Sequence, residues 1–267
     1  MKIMSKTNLK PRQVGPPWYF VGCATDLVLF FLSSQKENIL REAAIHKRLN
    51  SPYVVQFIDF FETSKNFYLV MELYVFFFFC LFACDCFLFS FSLLQRMNGG
   101  ELFERIEKVE CFTEDDAVAI IMQVAKGLKY LHDNGVVHRD IKPENLVFGN
   151  NSLTPIKLCD FGLSKVLDMG STDTPCGTVG YLAPEIAKEM SHTFSVDMWA
   201  LGCVLYSMLC GFPAFYDQSV PILTEKVKKG LYDFPSPWWD AVSDSGNAHT
   251  HGILVAYPLL RLQPRTW

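Results

Sequence analysis

Two short strings of residues constrain this chain more than any other feature of its sequence. Residues 138–145 read H-R-D-I-K-P-E-N, and D-F-G follows at residues 160–162. Together the strings hold one carboxylate suited to receiving a hydroxyl proton, and an amide and a second carboxylate suited to a divalent metal. The apolar runs 146–148 and 156–159 adjoin them and predict a two-stranded hairpin. Such a hairpin would bring both strings to one cleft.

The spacing of these residues matches the chemistry of phosphoryl transfer. This reaction asks little covalent work of a protein, which must orient the attacking hydroxyl and neutralise charge on phosphate oxygens. In such a site Asp140 would accept or orient the hydroxyl proton, and Lys142 would reach the transferred phosphoryl group. Asn145 and Asp160 supply the hard oxygen ligands that Mg²⁺ prefers. Either string alone is commonly a turn or a solvated loop, but the two in this order predict a phosphoryl-transfer site.

Two more motifs follow further along the chain. Residues 176–185 read C-G-T-V-G-Y-L-A-P-E, and residues 195–202 read S-V-D-M-W-A-L-G within an almost wholly apolar stretch. With these motifs in this order, the chain resembles the eukaryotic protein kinases. Lys142, the G-G-E-L-F string at 99–103 and the G-F-P-A-F-Y string at 211–216 are most similar to the calcium/calmodulin-dependent group of Ser/Thr kinases.

The resemblance covers residues 36–73 and 97–245 and implies an α+β fold of two lobes. A small β-rich N-lobe would adjoin a larger helical C-lobe. The N-lobe is expected to be truncated, because no G-x-G-x-x-G loop precedes Lys2. Its first two strands and the lid over the phosphates would then be missing. The predicted domains are therefore a partial N-lobe over 1–73, a C-lobe over 97–245 and a divergent tail over 246–267.

The same resemblance implies a Ser/Thr protein kinase that transfers the γ-phosphoryl group of ATP to protein hydroxyls, with Mg²⁺ as its metal. Its protein substrates would carry basic residues near the acceptor, and calmodulin or an upstream kinase would regulate the full-length parent. The alternative is a catalytically impaired kinase fragment that acts as a protein-interaction module. Nucleotide binding distinguishes these two functions.

Roles in nucleotide binding also follow from the resemblance. Lys2 looks like the nucleotide-binding lysine, and Glu42, in a helix predicted over 38–49, looks like its acidic partner. Met71 would lie behind adenine as the gatekeeper. Glu72 and Leu73 would enter the hinge, and Met97 would leave it. Glu101 would meet the ribose and, with Glu144, the basic side chains of a peptide substrate.

Further roles concern the activation segment and its support. Thr174 is located where this group of kinases carries its activating phosphate, and Arg139 would pair with that phosphate bidentately. Asp197 is given a structural role. Glu185 should pair with a buried arginine from a helical region that the divergent tail does not resemble, so its carboxylate is expected to lack a partner. With the phosphate lid, the hinge and this pairing all compromised, weak or absent activity is expected.

Two segments are foreign to the kinase pattern. Residues 74–96 carry eight of the 23 phenylalanines, where a hinge needs only a few extended residues. A membrane span there would include Asp85 and would put two halves of one active site on opposite sides of a bilayer. A buried insert would need a core that the chain does not supply. We favour translated intron, because the pyrimidine-rich tract before a splice acceptor encodes Phe, Leu and Ser, and its terminal CAG encodes Gln. Residues 74–96 and 14–35 both carry such a run before a glutamine, Gln95 and Gln35. Removing residues 14–35 shortens the separation of Lys2 and Glu42 from 40 to 18 residues, and sequencing of the mature transcript tests the hypothesis.

Local patterns predict several elements without the resemblance. A helix should begin at the N-cap Thr113 and end at Asn134. Residues 196–209 are apolar nearly all round, which indicates a helix buried at the centre of a lobe. Residues 53–61 and 66–73 read as two strands. The first helix has apolar residues at helical spacing: Val118, Ile121, Val124, Leu128 and Leu131.

Composition narrows the function further. The net charge of −4 and the lack of a basic run argue against nucleic-acid binding. Nine cysteines without a secreted framework do not suggest disulfides, and Cys159, Cys203 and Cys210 are predicted to be small buried residues. The chain has no signal peptide of normal form, so a location in the cytoplasm or nucleus, without membrane attachment, is expected.

Overall fold

The protein has a small sheet-containing lobe and a larger helical lobe. The computed structural model describes residues 2–5, 36–62, 66–72, 99–149, 152–153, 155–167, 170–256, 258 and 261. Within these residues, the predicted α+β architecture of two unequal lobes is confirmed. Both predicted inserts, residues 14–35 and 74–96, lie outside the described residues, as do Leu73 and Met97 of the predicted hinge.

The small lobe is an antiparallel sheet with one helix against it. The elements are β1 (Lys2–Ser5), α1 (Lys36–Lys47), β2 (Phe57–Glu62) and β3 (Asn66–Met71), and the strand order is β1-β3-β2. Lys2 lies opposite Leu69 in the register of the sheet. Ala43 from the helix packs with Leu69, Met71 and Val55 in a small apolar cluster, which joins α1 to the sheet.

One predicted strand of this lobe is shorter than the pattern suggested. Residues 53–61 were expected to be extended throughout, but β2 begins only at Phe57. The preceding residues bond to a different part of the chain, because the Val55 N–H donates to the Leu158 carbonyl at 2.9 Å and Val54 forms a parallel bridge with Leu158. This segment therefore links the two lobes.

The large lobe contains six helices among the described residues, together with two short antiparallel strand pairs. The helices are α2 (Leu102–Val109), α3 (Glu114–Asp133), α4 (Pro184–Ala187), α5 (Ser195–Cys210), α6 (Val220–Lys229) and α7 (Asp244–Ile253). The strand pairs are β4 (Val136–Val137) with β7 (Lys165–Val166), and β5 (Leu146–Phe148) with β6 (Ile156–Leu158). The second pair is the hairpin that the sequence predicted.

The ends of α3 are set by local chemistry. The Thr113 hydroxyl accepts a hydrogen bond from the Asp116 N–H at 3.2 Å, which confirms the predicted N-cap. Asn134 is the C-cap, as predicted. One expected core residue is wrong: Val118 is 57% exposed, because the buried face of α3 runs through Ala117 and Ile120 instead.

The centre of the large lobe is α5. All sixteen of its residues are buried, as its nearly uniform apolarity predicted. The helix ends at Gly211, which takes a left-handed φ of 84° that favours glycine. The last helix, α7, packs against it so closely that a Cβ added at Gly202 would lie 2.8 Å from Cγ2 of Ile253.

The region predicted to be a divergent tail belongs to this core. Residue 245 lies inside α7, so the predicted domain boundary falls within a helix. Ile253 and Leu254 are buried in the main apolar cluster. The sequence of this region gave no motif, but its packing is that of an integral part of the lobe.

The described part of the chain contains neither a membrane-spanning helix nor a cluster of metal-binding side chains. No helix there is long and apolar enough to cross a membrane. No group of three or more His, Cys, Asp or Glu side chains there could hold a metal ion. Cys203 and Cys210 are buried as predicted, whereas Cys159 is half-buried.

Candidate active site

The hairpin of β5 and β6 brings the two catalytic strings together. Leu146 pairs with Leu158 at one end of the hairpin. Asn145 immediately precedes this pair and Asp160 follows it by two residues, so both predicted metal ligands lie at the same end. The Cys159 N–H donates to the Asn145 carbonyl at 3.0 Å and closes that end.

Three side chains converge on the carboxylate of Asp140. The Lys142 ammonium lies 2.8 Å from Oδ2, and the Asn145 amide donates to the same oxygen at 2.9 Å. The Thr178 hydroxyl donates to Oδ1 at 2.9 Å. Lys142 also donates to the Thr178 hydroxyl at 3.0 Å. The structure therefore brings together all three residues predicted to be catalytic, and adds Thr178.

The remaining atoms of Asn145 and Asp160 fit a divalent cation. Both donors of the Asn145 amide nitrogen go to Asp140, to its carbonyl at 2.8 Å and to its carboxylate. This orients the amide with its Nδ2 towards Asp140 and leaves Oδ1 as its acceptor atom, an oxygen of the kind that Mg²⁺ binds. Asp160 has a left-handed φ of 60°, and its Oδ1 accepts a hydrogen bond from the Gly162 N–H at 3.2 Å. A carboxylate and an amide oxygen suit magnesium better than zinc.

Asp197 holds the backbone of residues 138–142, which we call the catalytic loop. Its carboxylate accepts from the His138 N–H at 2.9 Å and the Arg139 N–H at 2.8 Å, and from His132 Nε2 at 2.9 Å. Burial opposes ionisation of Asp197, but these hydrogen bonds and the charges of the histidines outweigh it and lower the pKa. The structural role that these contacts give Asp197 is to hold Arg139 in a left-handed backbone conformation, with a φ of 67°.

Phe161 anchors the second string in the interior. Its ring is 1% exposed and lies between two histidines, with centroid distances of 4.7 Å to His46 on α1 and 5.1 Å to His138. A helix of the small lobe and the loop of the large lobe therefore meet on one side chain next to Asp160. This contact couples the position of α1 to the site.

On the nucleotide side, the structure describes only part of the predicted set. Met71 is 8% exposed and packs in one cluster with Cys159, the residue before Asp160, which suits a gatekeeper at the back of a pocket. Glu42 is buried on α1, and the backbone of Lys2 lies in β1. The pairing of Lys2 with Glu42 stays a prediction.

The two acids predicted to contact ribose or peptide lie beside the catalytic loop. The backbone of Glu101 forms an isolated antiparallel β-bridge with Val147 in β5. Glu144 lies in a short 3₁₀ turn over Pro143–Asn145, and its Oε2 is buried without a hydrogen-bond partner in the described part of the chain. Burial, and then the charge of Glu144, raise the pKa of the Tyr181 hydroxyl.

Arg139 reaches the segment that carries Thr174. The guanidinium donates to the Leu163 carbonyl at 2.8 Å and to the Thr174 carbonyl at 3.2 Å. Burial lowers the pKa of Arg139, although an arginine remains protonated at neutral pH. The side chain of Thr174 is exposed, and its neighbour Thr172 accepts a hydrogen bond from Lys165 at 2.7 Å. Two cationic side chains are thus near Thr174.

The prediction that Glu185 lacks a partner is wrong. Arg261 meets it with two parallel hydrogen bonds, Nη1 to Oε1 at 2.6 Å and Nη2 to Oε2 at 2.7 Å. Arg261 also donates to the Ser195 carbonyl at 3.1 Å and lies 5.0 Å from the ring of Trp199. Arg261, which follows α7 in the sequence, therefore contacts α4 and supplies the guanidinium that was expected to be absent.

Sequence reasoning missed several other residues of the site. Thr178 lies in a recognised motif but had no role, and His132 lies at the end of α3 without any motif. The position of Thr178 inside the string 176–185, which was recognised as part of the kinase pattern, was a usable signal. Lys157 was seen only as part of a strand, and nothing in the sequence pointed to its contact with Glu72.

Comparison with known proteins agrees with this geometry. A model of the protein kinase domain matches residues 90–266. The serine/threonine-protein kinase srk1 of Schizosaccharomyces pombe is 40% identical over 256 residues, covering 84% of this chain and 40% of that protein. The serine/threonine-protein kinase RCK2 of Saccharomyces cerevisiae is 38% identical over 263 residues, covering 86% of this chain and 39% of that protein. A calcium/calmodulin-dependent protein kinase type 1 of Caenorhabditis elegans is 39% identical over 231 residues, covering 86% of this chain and 60% of that protein. The chain thus spans 39% to 60% of the length of these relatives.

Proposed function

Because this chain belongs to the protein kinase family, we propose that it is a Ser/Thr protein kinase that transfers the γ-phosphoryl group of ATP to a protein hydroxyl. One observation carries the proposal: Lys142, Asn145 and Thr178 converge on the Asp140 carboxylate. A carboxylate that is only 10% exposed, with a cation and an amide arranged around it, suits the orientation of an attacking alcohol.

In the proposed reaction, the substrate hydroxyl oxygen bonds to the γ-phosphorus while the bond from that phosphorus to the β,γ-bridging oxygen breaks and ADP leaves. The hydroxyl proton passes to Asp140. The existing bond from the Thr178 hydroxyl supports this role, since Asp140 already accepts from an alcohol. Lys142 would neutralise charge on the transferred group. Asn145 and Asp160 would hold Mg²⁺, which when bound supplies charge neutralisation at the phosphate oxygens.

We also propose that the substrate carries a basic residue near its acceptor. The position of Glu144 supports this, because it lies two residues after Lys142 and is only half-buried, so its carboxylate would offer a cationic side chain of the peptide a partner beside Asp140. Glu101 is near the same loop through its bridge to Val147 and would add a second negative charge. An arginine or lysine of the peptide is the partner that fits these acids.

Activation by phosphorylation of Thr174 is a further part of the proposal. Arg139 already contacts the backbone of this residue, and Lys165 contacts its neighbour Thr172. A phosphate on the exposed hydroxyl would give these cations an anionic partner. The calcium/calmodulin dependence in the name of the C. elegans relative suggests that calmodulin also regulates this protein.

The experiment compares the whole chain with its Asp140→Asn variant, using Mg-ATP and two peptides that differ by one arginine before the serine. We expect Asp140→Asn to lower kcat by about 10²- to 10⁴-fold, the usual worth of a positioned proton acceptor. The exposed Asp115→Asn change on α3 is the matched control and should leave kcat unaltered.

Substrate choice is read in the same assay. Removing the arginine should raise the peptide KM about tenfold, and Glu144→Gln should abolish that difference. An unmutated chain that binds Mg-ATP but transfers no phosphoryl group, to itself or to a peptide, would contradict the enzyme and favour the interaction module.

A further inference from the structure

Glu72 is held by an unusual set of contacts for a residue at the start of a predicted hinge. Its carboxylate Oε1 pairs with the Lys157 ammonium and also accepts a hydrogen bond from the Gln56 N–H at 2.8 Å. Its own N–H donates to the Gln56 carbonyl at 2.8 Å. The end of β3, the start of β2 and the middle of β6 are therefore tied together at one side chain.

The third partner, Lys157, belongs to the strand that leads to the metal site. It occupies the middle of β6, three residues before Asp160. Its side chain is only 6% exposed, whereas that of Glu72 is 26% exposed. The pair is therefore largely shielded from water, and salt screens it less than a surface pair.

Stability alone does not explain a lysine at this position. The Lys157 side chain is itself buried, and its cross-strand partner Val147 packs against the small apolar cluster, so an apolar side chain would suit this position. Burying an ammonium group is costly, and a buried ion pair is often no more stable than the apolar residues that could replace it. A charged pair that adds little stability is better explained by what it positions.

We propose that Lys157 is a positioning residue for nucleotide binding. Through Glu72 it holds the start of the hinge, and hence the backbone that would bind adenine, at a set place relative to the strand that ends at Asp160. Adenine and the metal-bound phosphates are at opposite ends of one molecule, so both ends of the pocket must be correctly spaced before ATP binds. The inference rests on the proposed kinase function.

The test is Lys157→Met in the whole chain. Methionine is one heavy atom shorter, fills most of the strand position and removes the ammonium group with its charge and its hydrogen-bond donors. We expect KM for Mg-ATP to rise about tenfold, while kcat and the peptide KM change less than about twofold, because bound nucleotide restores the spacing. Lys157→Arg, which keeps the charge, should recover most of the affinity.

Two further variants separate positioning from general damage. Glu72→Gln should raise the same KM, and the double variant with Lys157→Met should be no worse than the poorer single variant, since each removes one shared contact. Lys129→Met removes a lysine from an exposed pair with Asp133 and is the matched control, with no expected change in KM.

Amide hydrogen exchange reads the contact without nucleotide. In Lys157→Met the Gln56 amide, which donates to Glu72, should exchange faster, while the Leu158 amide, bonded to the Tyr53 carbonyl at 2.8 Å, should not. An unmutated chain that binds Mg-ATP together with an unchanged KM in Lys157→Met would overturn this inference and leave the proposed function standing. If the unmutated chain binds no Mg-ATP, the proposed function and the inference both fail.

Discussion

The catalytic loop depends on a side chain that makes no contact with a substrate. Arg139 adopts a left-handed backbone conformation, which is unfavourable for a residue with a Cβ and persists only where its surroundings enforce it. Asp197 supplies that enforcement by accepting both the His138 and Arg139 amides in the fully buried interior. The geometry of Asp140, the next residue, follows from this support.

Asp197→Asn is expected to destabilise the protein in a pH-dependent way. The asparagine can accept only through one oxygen and presents an NH₂ group to a donor, so about 2–4 kcal/mol of unfolding free energy should be lost at pH 7. The folded-state pKa of Asp197 lies below its ordinary value of 3.8, so its contribution is present above that value and is lost as the pH falls through the folded pKa.

Urea unfolding at pH 7 and at about pH 3 measures this effect. The difference in unfolding free energy between the unmutated chain and Asp197→Asn should shrink at the lower pH. Asp233→Asn, at an exposed position outside the helices, is the control, with no loss at either pH. A difference that is equal at both pH values would contradict the ionised role of Asp197.

At the scale of elements, the approach of α7 to α5 is governed by a glycine. Gly202 lies in the middle of α5, where glycine weakens a helix, yet an added Cβ would lie 2.8 Å from Cγ2 of Ile253 and 2.9 Å from Cδ2 of Leu254. Both contacts are shorter than van der Waals separation, so the absence of a side chain allows the two helices to pack.

Gly202→Ala should therefore destabilise the protein although alanine favours helices. The gain of about 1 kcal/mol from helix propensity is outweighed by a cost of about 1–3 kcal/mol for overpacking. Adding Ile253→Ala should recover part of this loss by making room, whereas Ile253→Ala alone should destabilise by creating a cavity. Thermal unfolding of the three variants tests this, and a higher Tm for Gly202→Ala would refute the packing argument.

The elements themselves were largely predictable, for reasons that differ from one to another. Thr113 and Asn134 delimit α3 because capping is local chemistry, and the uniform apolarity of α5 could only suit a buried helix. Val118 misled because it satisfies helical spacing while lying on the exposed edge of the apolar stripe. The start of β2 was misplaced because Val55 bonds to Leu158, and that partner lies far along the chain.

At the scale of the whole molecule, the main error concerned a contact between distant residues. The sequence places Asp140, Lys142 and Asn145 within one short string, so their convergence could be predicted. Glu185 and Arg261 are 76 positions apart, and Arg261 lies in a region with no recognisable motif. Only the packing of α7 and of the chain after it brings the arginine to Glu185, so local pattern could not reveal the pair.

The Glu185–Arg261 pair also weakens the expectation that this chain is inactive. Weak or absent activity was expected on three grounds, namely the phosphate lid, the hinge and the missing partner of Glu185. The third ground is removed, because the pair is formed and buried. The hinge positions Leu73 and Met97 lie outside the described residues, so that ground remains a prediction.

Arg261→Met tests how strongly the chain after α7 supports the large lobe. The guanidinium is fully buried, and its loss would leave the Glu185 carboxylate, itself 4% exposed on its side chain, without a countercharge. Removing one partner of such a pair costs about 3–5 kcal/mol, whereas replacing both by apolar residues is often close to neutral. We therefore expect a large fall in the urea midpoint for Arg261→Met and a substantial recovery when Glu185→Leu is added. The exposed Arg48→Met change is the control and should leave the free energy of unfolding within about 0.5 kcal/mol of that of the unmutated chain. If Arg261→Met were as mild as Arg48→Met, the buried pair would contribute nothing to the stability of the fold, and the proposed support from the chain after α7 would be wrong.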